Sequence, residues 1–139
     1  MWEKTYSTTT KAVSAAQMWR LFADVNNWHH WDTQIEYAQM AGEFIQGNHF
    51  FIQVKKGPKV KIELIETEKD RKFVDLTKFP GARMTGEHRF EESKEGLKIT
   101  TTMRVTGMLG FLWRKIVAQD IVNSLPEETL RQIEAAGRY

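Results

Sequence analysis

Residues 107–139 read GMLGFLWRKIVAQDIVNSLPEETLRQIEAAGRY, with Leu109, Leu112, Ile116, Ile121, Leu125, Ile133 and Ala136 recurring at roughly helical spacing. That periodicity predicts one long amphipathic helix whose apolar stripe needs a cover. Gly107 releases the chain into it and Gly137 lies near its end. Pro126 removes a backbone donor and crowds the preceding turn, while Ser124-Leu-Pro-Glu127 fits a capping box with the proline in a first turn. A kink or short break near Ser124 is therefore expected.

The cover is found by reading upstream. From Ile35 to Thr106 the chain is cut into short β-type runs: Ile35 to Met40, Asn48 to Lys55, Lys59 to Glu68, Lys72 to Phe79, Met84 to Glu92 and Leu97 to Thr106. The punctuation is Gly42 to Gly47, Gly57-Pro58, Lys69 to Arg71, Pro80-Gly81 and Ser93 to Gly96. Links this short join antiparallel neighbours and cannot carry parallel crossovers. With Trp2 to Thr10 as a first strand, about seven strands form a meander.

Alternation marks one buried face. Phe50, Ile52 and Val54 share a side, as do Val60, Ile62 and Leu64, then Met84, Gly86, His88 and Phe90, then Leu97, Ile99, Thr101, Met103 and Val105. The run from Lys72 is ambiguous, because Phe73 and Phe79 fall opposite Val74 and Leu76. Between the first two strands, Ser14-Ala-Ala-Gln17 fits a capping box that opens a helix with Ala15, Met18, Trp19, Phe22 and Val25 on one face. Asp24 to Asn27 end it, and Trp28-His-His-Trp31-Asp32 follows. Two tryptophans three apart on a helical turn point to one side, as a lid or plug at one end of the core.

Composition bounds the class. A chain of 139 residues with 41% apolar and 12% aromatic residues suits one domain with one core. No run is long enough to span a membrane and Met1-Trp2-Glu3-Lys4 lacks a signal-peptide pattern, so a soluble, cytoplasmic protein is expected. Without cysteine there is no disulfide and no thiolate chemistry. Twenty basic and 18 acidic residues give a net charge of +2, too balanced to argue for nucleic acid. Lys55, Lys56, Lys59 and Lys61 form a local cluster; a solvated hairpin tip guarded against edge pairing outweighs a phosphate- or RNA-binding edge.

The order of these elements resembles the helix-grip fold of the START-like (SRPBCC) superfamily, and within it the polyketide cyclase/dehydrase and lipid-transport family. The resemblance is carried by Asp24-Val-Asn-Asn-Trp28 with Trp31-Asp32, by Gly57-Pro58 before a Lys-rich strand, by Phe79-Pro80-Gly81-Ala82, by His88, and by Gly107 to Arg114. It covers the whole chain. It implies an α+β architecture, a curved antiparallel sheet wrapped around the long C-terminal helix, with a cavity between them for apolar or aromatic molecules. Members of the superfamily bind or carry ligands, and some cyclise polyketides.

On that expectation the ligand-facing residues are Trp28, Trp31, Phe50, Ile52, Ile62, Met84, His88, Phe90, Thr101, Met103, Phe111 and Ile116. His88 is the candidate acid/base, a histidine among apolar neighbours on the core face, with Thr101 as its polar partner. A satisfied structural histidine is the competing reading. Asp75 and Glu63 read as cross-strand partners for lysines. His29, His30 and Asp32 have the residue types of a metal site, yet adjacent histidines on a helix point apart and no further ligand follows. No nucleophile elbow, P-loop, dinucleotide fingerprint or zinc-peptidase motif occurs, and no cofactor is expected. The expected partner is a small apolar or aromatic molecule, without nucleic acid and without stable membrane insertion. An empty core void costs about 24 cal/mol per Å³, so the expected cavity is modest, filled or partly collapsed.

Overall fold

A computed structural model describes residues 1–139. Seven strands, β1 (Trp2–Thr10), β2 (Ile35–Gln39), β3 (His49–Val54), β4 (Lys59–Glu68), β5 (Lys72–Phe79), β6 (Ala82–Ser93) and β7 (Gly96–Thr106), form one antiparallel sheet in the order β1-β7-β6-β5-β4-β3-β2. Only β1 departs from a simple meander, pairing with β7 from Trp2↔Val105 to Thr10↔Leu97. The first and second strands thus lie at opposite edges. Helix α1 (Ala15–Ala23) and a 3-10 helix (Val25–His30) carry the chain from one edge to the other.

Local chemistry explains these elements. Ser14 caps α1 as a full capping box: its hydroxyl accepts from the Gln17 amide, and the Ser14 amide donates to the Gln17 side chain. Trp28 and Trp31 sit with ring centroids 5.6 Å apart, both buried, and the Trp28 indole donates to the Phe22 carbonyl. His29 and His30, expected to point apart, instead hold their exposed rings with centroids 4.1 Å apart.

The ambiguous strand is resolved by a bulge. Pairing between β4 and β5 shifts register between Leu64 and Glu66, leaving Ile65 as the extra residue. Phe73 then falls on the concave face, fully buried, while Leu76 is on the outer face beside the Glu63–Lys78 ion pair. The aliphatic stems of such long side chains cover an outward leucine without removing its neighbours from water.

The C-terminal segment differs most from expectation. Helix α2 (Gly110–Trp113) runs into a π-helical turn (Arg114–Ala118) and on into α3 (Gln119–Ala136) with no break at Ser124. The Ser124 hydroxyl donates to the Ile121 carbonyl inside a continuous helix, so it is not a cap, and Pro126 is accommodated in the helix interior. The irregularity lies eight residues or more upstream of Pro126, in the π turn. Its wider i→i+5 closure rotates everything before it relative to everything after. Ala118, Leu125, Thr129 and Ala136 are buried, whereas Leu109, Leu112 and Ile116 of the expected stripe are exposed.

The buried apolar side chains form two groups. The larger joins α1, the tryptophan lid and the β2–β5 half of the sheet with Phe90, Leu97 and Ile99, and includes Met18, Phe22, Phe50 and Phe73. The smaller holds Met84, Met103, Val105 and Ala118, with Ile121 and Val122 packed on it. Helix α3 lies along α1 and β1.

Candidate functional site

The line between the two groups is polar. Two-residue periodicity puts Phe73, Asp75 and Thr77 of β5 on the concave face, opposite His88, Gly86 and Met84 of β6. Asp75 and His88 are diagonal neighbours, and their side chains meet, Oδ2 to Nε2, at 3.2 Å. Gly86 makes room for the meeting. A Cβ there would lie 3.0 Å from Asp75 Oδ1 and 3.3 Å from His88 Nε2. The His88 ring stacks on Phe73, centroids 4.3 Å apart at an interplanar angle of 13°, and abuts Phe22 at 5.4 Å. Thr101 faces His88 across β6–β7 and is buried, as is Thr77.

Asp75 therefore pairs with histidine and not with a lysine as expected, because alternation sends it to the inner face. Glu63, on the outer face, does pair with Lys78 at 3.5 Å. An ionised carboxylate only accepts, so His88 donates through Nε2–H and keeps Nδ1 for another partner. The result is an imidazole held by an aromatic ring on one face and a carboxylate at one edge. It can accept a proton or a hydrogen bond at Nδ1.

The other expected site residues divide by position. Trp28, Trp31, Phe50 and Phe90 are buried in the larger group, with Ile52 and Ile62 packed against it. Met84 and Met103 belong to the smaller group. His88 and Thr101 lie on the seam between them, and Phe111 and Ile116 stand exposed, displaced from the inner face by the π turn.

A second polar feature couples α3 to Asp32, the residue that follows the tryptophan lid. Glu128 of α3 is buried and accepts from Arg131 Nη1 at 3.0 Å. Burial pushes its carboxyl above the ordinary glutamate range, and the Asp32 charge pushes further, against the pull of Arg131. Burial also raises Asp32, opposed by the Gln34 backbone amide and by Arg131 and Lys55. Sequence periodicity gave no sign of this pair, since Glu128 adjoins Glu127 in a run that reads as solvated.

Two surface concavities lie apart from all these residues. One of about 290 Å³ is lined by Met40, Asn48, His49, Phe51 and Lys59 among others, and has the Lys59 ammonium 5.0 Å from the Phe51 ring centroid. The other, about 550 Å³ and open, lies around Thr10 to Ser14 and Glu92 to Leu97.

Several solved structures share this fold. Protein NE0264 from Nitrosomonas europaea superposes with a TM-score of 0.75 at 13% identity, covering 98% of this chain and 94% of its own. Ara h 8.0201 gives 0.73 at 12% identity over 99% and 100%. The di-domain ARO/CYC StfQ of the steffimycin biosynthetic pathway gives 0.73 at 12% identity over 99% of this chain and 49% of that one. At such identities the likeness shows the fold alone. No curated protein matches the sequence. A family model, described as polyketide cyclase / dehydrase and lipid transport, matches residues 1–135. By that match, consistent with the grip of sheet and helix just described, the chain belongs to the polyketide cyclase/dehydrase and lipid-transport family of START-like proteins.

Proposed function

We propose that the protein binds a small apolar or aromatic molecule between the concave face of the sheet and the C-terminal helix, anchored by one polar group on His88. The observation that carries this reading is the Asp75–His88 pair on the seam between two apolar groups. A hydrocarbon or aromatic body suits the walls. A single hydroxyl or phenol on that body donates to Nδ1, the one imidazole position Asp75 leaves open. Two methionines, Met84 and Met103, give one wall an adaptable surface.

Displacement of a fluorescent fatty acid or polyaromatic probe, with native mass spectrometry of freshly purified protein, tests it. Saturable one-to-one binding is expected. His88→Gln and Asp75→Asn should weaken hydroxyl-bearing ligands by about three- to ten-fold, the worth of one hydrogen bond, and leave pure hydrocarbons unchanged. Absence of any bound species and of saturable displacement across diverse probes overturns it.

The same pair supports a second reading, a cyclase or dehydratase acting on a polyketide-like substrate with His88 as acid/base. Nδ1 would take a proton from carbon beside a carbonyl, and Asp75 would hold the resulting imidazolium. Here His88→Ala abolishes turnover of a poly-β-carbonyl substrate while binding and folding persist. Turnover that survives His88→Ala removes this reading.

A further inference from the structure

The segment that the π turn rotates outward carries five exposed apolar side chains in nine residues: Met108 at 91%, Leu109 at 39%, Phe111 at 60%, Leu112 at 41% and Ile116 at 54% of full exposure. Scattered surface apolar residues are ordinary, but a contiguous group is not. This one is also tethered to the sheet. The Leu109 amide donates to the Gly81 carbonyl at 2.9 Å, and the Trp113 indole donates to the Pro80 carbonyl at 2.8 Å. Trp113 stacks on Phe79 with centroids 4.5 Å apart, which fixes α2 to the β5–β6 hairpin.

Cations surround the apolar side chains. Arg114 and Lys115 stand between Leu112 and Ile116, and Arg83, exposed, lies across from Thr106 at the same end of the sheet. None of the three is in an ion pair. Two copies meeting on this face about a two-fold axis would set the three cations against themselves, so self-association is disfavoured. An anionic bilayer offers the complementary charge in its headgroups and an apolar layer just beneath for Phe111, Leu112 and Ile116.

We infer that residues 108–116, with the β5–β6 hairpin, form a peripheral docking site for an anionic lipid bilayer, seated at the interface without spanning it. No helix of the chain is long and apolar enough to cross a membrane. The apolar side chains enter the headgroup–acyl boundary, and Arg83, Arg114 and Lys115 lie among lipid phosphates. The site stands whatever the interior binds.

Co-sedimentation of the full chain with vesicles of phosphatidylcholine, alone or mixed with phosphatidylglycerol, tests this. Partition onto the mixed vesicles at low salt, falling as salt is raised, is expected, with little onto phosphatidylcholine alone. Arg114→Gln with Lys115→Gln should lower the partition coefficient by about five-fold per cation. Phe111→Ser with Leu112→Ser should lower it about ten-fold or more. Because Phe111 and Leu112 are exposed, circular dichroism and melting should match the parent protein. Lys69→Gln with Lys94→Gln, in the hairpins at the other end of the sheet, should leave partition unchanged. The proposal is overturned by failure to partition onto phosphatidylglycerol vesicles, by an unaltered Phe111/Leu112 variant, or by an equal loss in the Lys69/Lys94 variant. Sedimentation equilibrium showing a dimer that the Phe111/Leu112 variant dissolves would assign the face to a second copy instead.

Discussion

At Gly86 one methyl group is enough to disturb the seam. Gly86→Ala would place a carbon 3.0 Å from Asp75 Oδ1 and 3.3 Å from His88 Nε2, on a strand flanked by β5 and β7. The expected cost is about 1–3 kcal/mol in chemical denaturation, the range for overpacking, together with loss of the histidine–carboxylate contact. The latter is read as a changed His88 ring-nitrogen chemical shift by NMR. The carboxyls near the lid give a pH test. Asp32 and Glu128 hold protons more tightly folded than unfolded, so their charge destabilises the fold at neutral pH. Stability falls as pH rises from the ordinary carboxylate range through the raised folded values. Glu128→Gln keeps an acceptor for Arg131 and removes the buried charge, so its thermal midpoint should exceed the parent's at pH 7. The difference should vanish below the ordinary glutamate pKa of 4.5. His88 was legible as an inward histidine because Met84, His88 and Phe90 alternate cleanly. Its partner was not, because Asp75 lies in a strand where Val74 and Leu76 on one face compete with Phe73 and Phe79 on the other.

Among the elements, the strands show how far turn chemistry reaches. Gly57-Pro58, Lys69 to Arg71 and Pro80-Gly81 fall between strands whose observed limits for β1, β4 and β5 coincide with those read from the sequence. The bulge at Ile65 and the π turn were invisible for one reason. Each inserts a residue that changes phase without any characteristic side chain, so a periodic pattern continues through it on paper while the chain rotates in space. Gly107 was readable as a release point, and its φ of +108° and the Gly81 carbonyl 2.6 Å from where a Cβ would lie show why glycine stands there. Pro126 offers the element-scale test. It sits exposed in the interior of α3 and supplies no amide to the helix. Pro126→Ala should therefore raise stability, by up to about 3 kcal/mol in urea unfolding, with the helix content unchanged or slightly higher.

Across the whole molecule, the division of the apolar interior predicts unequal rigidity. The larger group locks α1, the lid and six strands together through stacked and edge-on aromatics around Phe22 and Phe73. The smaller group holds the π turn and the start of α3 through four buried side chains and their neighbours. Amide hydrogen exchange should be slowest for β5 and β6 near Phe73 and Phe90, and faster by orders of magnitude along residues 108–118, which open locally before the sheet does. Equal protection in both regions would contradict this division. The pairing of β1 with β7 has a consequence for how the chain is made. Nine residues near the amino terminus find their only strand partner after residue 96, so a nascent polypeptide emerging from a ribosome carries an unmatched β1 until almost the entire sheet has been synthesised. Closing that long loop places the protein among slow, high-contact-order folders, on the millisecond-to-second scale. During that interval the threonine-rich ribbon of Thr5 and Thr8 to Thr10, polar and slow to aggregate, is what the growing chain presents to its surroundings.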